Sequence, residues 1–319
     1  MELTNRTELL WIPEQNIFRQ INTVLGIKIA FVFLLSFPFV CINGIMLITL
    51  RSKTVFRETS RYILFTHMLC VDSITLVVTV VIYIFAMALL NLAKAVCAVF
   101  VLISASCSRN APLTLALMSL ERYVAVCFPF LHCKIATPKT TGLALGFTWL
   151  ISTVSITVDL ISVFALDPTF ETSQTVCTRE RFFVAKWQVV AFQVFNGFCF
   201  VSVTVVLIFT YISIIIIVRT IPTNRDSAIK ARQTILLHII QLAFCLNTFV
   251  YSQIEQLLAM TTTSVFVNLR YLNFIFVIVL PRCMSPLIYG LRDETIRHLF
   301  LVYLKCRSPV VTSTVDMKS

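Results

Sequence analysis

Few side chains in this sequence are equipped for chemistry, and most of those sit within or beside long apolar runs. Glu121-Arg122-Tyr123 closes the third run and is followed by Val-Ala-Val-Cys127. An acid beside an arginine where a hydrophobic helix leaves a bilayer is costly unless the pair is used. The two charges can satisfy each other at rest and part when something docks from the cytoplasm; the alternative is a static interfacial pair. Asp72 stands in the middle of the second run, and Arg282 in the seventh, four residues or about one helical turn before Pro286. Burying either charge alone is expensive. Arg282 is therefore expected to pair with Asp72; otherwise it faces a water cavity without a partner. Asn43 and Ser285 complete this inner polar set.

A third charge lies farther out. Arg109 precedes Arg122 by 13 residues, about 20 Å along a helix, and is flanked by Ser108 and Asn110. The sixth run presents Asn247, Tyr251 and Glu255 at spacing four, a polar stripe on one helical face. Two readings stand. In one, the third, fifth and sixth runs enclose a ligand cavity, lined by Ser104, Ser108, Phe195 and Cys199, where Arg109 or Glu255 recognises a charged group. In the other, Arg109 pairs internally with Glu255 or Asp159 and tunes packing. An enzyme is excluded, since the sequence has no metal-ligand cluster, nucleophile triad or phosphate-cradling glycine loop, and no cofactor is called for.

The elements that must position these groups follow from composition. Hydrophobic residues make up 58% of the 319, charged residues only 13%, and mean hydropathy is +0.90. So few charges cannot cover a water-soluble surface, so the solvent is lipid. Abundant Phe (27) and scarce Gly (6) favour packed helices over an alternating barrel. Spans are predicted near Ile27–Leu50, Tyr62–Leu90, Ala95–Val126, Thr141–Leu166, Trp187–Val218, Ile229–Met260 and Tyr271–Leu291. The fold class is an all-α membrane protein, a seven-helix bundle without internal repeats. It divides into an extracellular segment 1–26, the bundle 27–291, and a short amphipathic cytoplasmic helix with tail, 292–319.

Basic residues set the orientation. Arg51, Lys53, Arg57 and Arg61 fill the first loop, Lys134 and Lys139 the third connection, and Arg219, Arg225, Lys230 and Arg232 the fifth. That bias puts the amino terminus outside and the tail inside. The +11 net charge is then mostly a collar facing anionic membrane lipid, and no nucleic-acid partner is required. The sequon Asn5-Arg6-Thr7 falls on the outer side. The first 26 residues lack the apolar core of a cleaved signal, so the first span is expected to direct its own insertion. Cys97 and Cys177 both fall on the oxidising side, where a disulfide would hold the loop after the fourth span over the bundle. Cys306, past the last amphipathic stretch, is either palmitoylated or a free thiol.

The chain resembles rhodopsin-like G-protein-coupled receptors, and within them the vertebrate odorant receptors of the fish type. Met118-Ser-Leu-Glu-Arg-Tyr-Val-Ala-Val-Cys127 is similar to the odorant signature M-A-Y-D-R-Y-V-A-I-C, and Pro129 and His132 follow as in P-L-x-Y. Tyr62 through Asp72 aligns with M-Y-F-F-L-S-x-L-S-x-x-D. Lys230-Ala231, Thr234 and His238 match K-A-x-x-T-C-x-S-H, Thr210-Tyr211 matches the S-Y pair of helix five, and Ser285-Pro-Leu-Ile-Tyr289-Gly-Leu-Arg292 resembles N-P-x-I-Y-S-L-R-N. The chain departs from the pattern in four places. Glu121 replaces Asp, Ser285 replaces Asn, Asn43-Gly44 reverses Gly-Asn, and the second outer loop offers Cys177 alone.

The resemblance implies that Glu121 holds Arg122 at rest and releases it when helix six swings out to admit a heterotrimeric G protein of stimulatory type. Tyr123 belongs to the same motif, and Tyr211 and Tyr289 would reach into the gap. His238 is either part of this machinery or a capping group. Asp72 occupies the place of a carboxylate that usually helps bind sodium, and Arg282 is expected to take the ion's place. The function implied is a plasma-membrane receptor for a small-molecule odorant, bound between helices 3, 5, 6 and 7. The alternatives are a receptor of this fold for an endogenous amine, peptide or lipid, and a transporter, against which the missing repeat speaks.

Overall fold

A computed structural model of the chain describes residues 23–87, 90–170, 172–220, 268–269, 271–284 and 294–304, with residues 243 and 254. Helices α1 (Thr23–Arg51), α2 (Thr54–Glu58), α3 (Ser60–Met87), α4 (Lys94–Cys127), α5 (Pro129–Ile135), α6 (Pro138–Leu166) and α7 (Lys186–Thr220) follow in order. An apolar helix α8 (Tyr271–Met284) and α9 (Glu294–Leu304) complete the described set. Five of these helices are long and apolar enough to cross a membrane: Gly26–Arg51, Ser60–Ala86, Lys94–Cys127, Pro138–Leu166 and Lys186–Ile217. The predicted sixth span lies outside the described residues except for residues 243 and 254, and the seventh is described to Met284.

Large apolar side chains cover the outside: Phe130, Leu143, Leu34 and Phe198 are all exposed. Asp72, Arg109, Asn110 and Arg282 are buried instead. That inversion is what a lipid solvent selects, because acyl chains welcome Leu and Phe but leave a polar group unsatisfied. Helix α4 is the axis, packing on α3, α6 and α7. Its 34 residues are about 51 Å long, well beyond a hydrocarbon core of about 30 Å.

Local sequence fixes where the helices stop. Pro129 opens α5 directly after α4, and Phe128 between them leaves helical geometry at φ −138° and ψ 65°. A residue before proline is pushed out of the α region, and proline suits the first helical position. Thr137 then caps α6 in a box with Thr140, with Pro138 just inside. On the other side, β1 (Asn91–Ala93) pairs antiparallel with β2 (Gln174–Val176), matching Leu92 to Thr175. A 3-10 turn, Arg179–Phe182, follows β2.

Three of these features depart from the sequence expectations. The second span stops at Met87 rather than Leu90, β1 beginning at Asn91. The short helix α5 was not anticipated. Within α8, Phe274–Val279 form a π turn. One extra residue in a turn rotates everything after it by about 100°, which alters the face that presents Arg282.

Two apolar clusters hold the ends. Near the short helices, Met46, Leu50, Leu64, Met68 and Met118 meet Ile296 and Phe300 of α9. The four-residue spacing of that pair puts both on one face, so α9 lies against α1. Toward the middle, Val32, Leu76 and Val80 pack on Phe274, Val277 and Ile278 of α8.

Candidate transmembrane switch and ligand site

At the inner end of α4, Glu121 Oε1 lies 3.0 Å from His132 Nε2. Helix α5 delivers that histidine because Pro129 restarts the chain in a helix without a spacer. Sequence reasoning gave Glu121 one partner, Arg122; the contact the structure shows is to His132. Arg122 and Glu121 line a crevice with Arg61, Tyr62, Met118 and Ile296, between α3, α4 and α9. Tyr123 sets its ring edge-on to Phe128 at 5.8 Å and to Phe209 of α7 at 5.3 Å. The Tyr211 hydroxyl is buried with no hydrogen-bond partner among the described residues. His238 and Tyr289 lie outside the described residues.

One layer outward, Arg282 of α8 faces Asp72 of α3, with Nε 3.7 Å from Oδ1 and both side chains almost fully buried. Arg282 heads the set of large fully buried side chains. A sodium ion does not fit here, since it would have to share Asp72 with a buried guanidinium of its own sign. Asn43 is wholly buried on α1, and neither amide atom has a described partner. Ser285 lies outside the described residues.

A directional polar chain ties α3, α4 and α6 together, and sequence reasoning missed it. Trp149 Nε1 donates to His67 Nε2 at 2.8 Å. An indole N–H can only donate, so His67 accepts at Nε2 and carries its proton on Nδ1, which faces Thr114 Oγ1 at 3.4 Å. The Thr114 hydroxyl donates to Asn110 Oδ1 at 2.9 Å, Asn110 Nδ2 to Thr148 Oγ1 at 3.5 Å, and Thr148 to the Leu145 carbonyl at 2.8 Å. The signal was present as polar residues at spacing four, Asn110 and Thr114, opposite the half-buried His67.

The outer half holds the other charges. The disulfide Cys97–Cys177 joins α4 to the loop after β2, with Cα atoms 5.4 Å apart. Two residues on, Arg179 reaches Asp159 of α6 at 3.3 Å and stacks 4.1 Å from the Phe192 ring centre. Gln188 of α7 donates to the Asp159 carbonyl at 3.3 Å. Of the two internal partners open to Arg109, Asp159 is taken by Arg179, descending from the pinned loop, and Glu255 lies outside the described residues. Arg109, only 5% exposed, donates from Nη1 to the Ser152 carbonyl at 3.4 Å and lies 5.1 Å over the Phe195 ring. Cys199 is buried one helical turn below Phe195, and Ser104 and Ser108 are half-buried on α4. Asn247, Tyr251 and Glu255 lie outside the described residues, as do Asn5 and Cys306.

At the outer rim, Lys94 Nζ binds Asp167 Oδ2 at 2.5 Å. Burial works to raise the Asp167 pKa, but hydrogen bonds from Lys94 and from the Thr169 hydroxyl and backbone outweigh it, leaving about 2.

Residues 42–289 match the 7 transmembrane receptor (rhodopsin family) model. The chain belongs to that family. It is 32% identical over 267 residues to Odorant receptor 131-2 of Danio rerio, covering 83% of this chain and 82% of that one. Olfactory receptor 2M3 of Homo sapiens is 21% identical over 199 residues, 60% of this chain and 61% of the other. Membership of the rhodopsin family makes this a multi-pass membrane protein of a receptor class.

Proposed function

We propose that this protein is an odorant-sensing G-protein-coupled receptor of the plasma membrane, with seven spans, an outside amino terminus and a cytoplasmic tail. The observation that carries the reading is the relationship to a zebrafish odorant receptor across four-fifths of both chains. A small organic ligand enters among the third, fifth, sixth and seventh spans. It binds the active arrangement more tightly than the resting one and so shifts their ratio. Glu121 and Arg122 line the crevice at the inner rim, with Tyr123 beside them against Phe209, and separation of Arg122 from its neighbours admits a G protein of stimulatory type. Tyr211, His238 and Tyr289 take part in the open form. The basic loops rest on anionic lipid.

The test is expression of the full chain with a promiscuous G protein and a screen of water-soluble odorants. Concentration-dependent signalling is expected, lost in Arg122→Ala while surface delivery persists. Signalling that survives Arg122→Ala, or a tail that stains on intact unpermeabilised cells, refutes the reading.

A further inference from the structure

We infer that the ligand this receptor takes is an organic carboxylate, and that Arg109 is the group that binds it. The inference rests on the receptor reading above and adds the chemical class of the ligand. Among the described residues, ion pairs stand at several levels of the bundle. Lys94 is matched by Asp167, and Arg282 by Asp72. Arg109 has no such match, since among the described residues no carboxylate reaches ion-pair distance of it. Asp159, within its electrostatic range, is engaged by Arg179. A guanidinium carries five N–H donors, and Arg109 uses one of them, on a backbone carbonyl at the long distance of 3.4 Å.

A buried arginine near the bilayer midplane is expensive, and such a residue marks a functional site by default. The Phe195 ring face offsets part of the cost but offers no acceptor in the guanidinium plane. What remains is a planar fork of donors that fits a carboxylate bidentately and completes the charge. Below it, Leu113, Phe195, Cys199 and Val203 form an apolar wall between α4 and α7. The site thus matches a singly charged head on a short apolar body. An amine would meet a like charge, and an alcohol or ester would leave the cation uncompensated.

The experiment uses the purified full-length receptor and cells expressing it, with hexanoate, benzoate and 3-phenylpropionate set against the amides and amines of the same skeletons. The acids are expected to raise the unfolding temperature of the wild type and the amides and amines to leave it unchanged. That comparison needs no variant. Arg109→Gln is expected to weaken acid binding by about 30-fold or more, as for loss of one partner of a buried charge pair, and Arg109→Lys to weaken it less. No stabilisation by any of the three acids, equal stabilisation by their amides, or unchanged acid affinity in a folded Arg109→Gln overturns the inference. If amides or amines bind and signal while acids do neither, the receptor reading stands and the carboxylate falls. If acids bind but no G protein is activated, the carboxylate stands and the receptor reading falls.

Discussion

Replacing Arg282 with Met exposes what the inner charge pair contributes. At 3.7 Å and an effective dielectric of about 20, two unit charges attract by about 4–5 kcal/mol. That figure is not the worth of the pair, because each ion also loses its hydration. Removing one partner of a buried pair nevertheless costs about 3–5 kcal/mol, since the other is left uncompensated. Asp72, 2% exposed, cannot turn to water. Arg282→Met should therefore lower the unfolding temperature of the receptor by on the order of 10 °C in choline chloride. Sodium chloride should restore part of the loss in the variant, where the carboxylate is vacant, and do nothing specific to the wild type. Asp72→Asn combined with Arg282→Met should recover most of the stability, because a pair removed together leaves no orphan. The assay is thermal unfolding in nanodiscs at matched ionic strength. A wild type stabilised by sodium over choline, or an Arg282→Met protein as stable as the wild type in choline, refutes the reasoning.

At the inner rim, His132→Phe removes the 3.0 Å contact to Glu121, worth about 1–2 kcal/mol, and should raise ligand-free signalling about fivefold or more per surface receptor. An unchanged basal signal counts against a restraining role. Trp149→Phe keeps the ring but strips His67 Nε2 of its donor, so stability should fall by about 1–2 kcal/mol, while His67→Phe with Trp149→Phe together should cost less than the sum. The Asp167 carboxyl titrates near 2 when folded against 3.8 ordinarily, so its contribution is complete above the ordinary value and is lost as pH falls through about 2. Asp167→Asn should lower the unfolding temperature at neutral pH and flatten the acid limb of a pH–stability curve below pH 4; an unaltered limb removes Lys94–Asp167 from the account.

The depth of each charge was legible in the sequence, because an ionisable residue in an apolar run announces itself. Asp72 and Arg282 were matched that way, and Cys97 and Cys177 were matched by falling on the same side of the expected bundle. Which of several acids an arginine meets was not legible. Arg109 and Arg179 are 70 positions apart, and only the pinned loop reveals that Arg179 arrives at Asp159 first. The π turn at Phe274–Val279 left no mark either, since an evenly apolar stretch carries no periodicity to show an added residue. His132 was legible as a motif position but not as a partner of Glu121, because the turn at Phe128 that swings α5 back is a matter of two dihedral angles.

The kinds of contact along α4 say where a ligand can act. Toward α3 and α6 the helix is joined by a relay of directional hydrogen bonds through His67, Thr114, Asn110 and Thr148. Such bonds are lost abruptly when the geometry shifts, and each loss strands a buried polar group. Toward α7 the described contacts are of another kind: Arg109 over Phe195, Tyr123 against Phe209, and Ala116 among Cys199, Val203 and Leu207. Apolar and ring-face contacts are non-directional, so two helices can slide across them at little cost. The α3–α4–α6 trio therefore behaves as one block, and the seam between α4 and α7 is where displacement is cheap. Arg109 lies on that seam over Phe195, and Tyr123 lies on it 14 residues or about 21 Å away on the same helix. On the proposal above, a ligand against Phe195 at one end and the Tyr123–Phe209 contact at the other act on one interface.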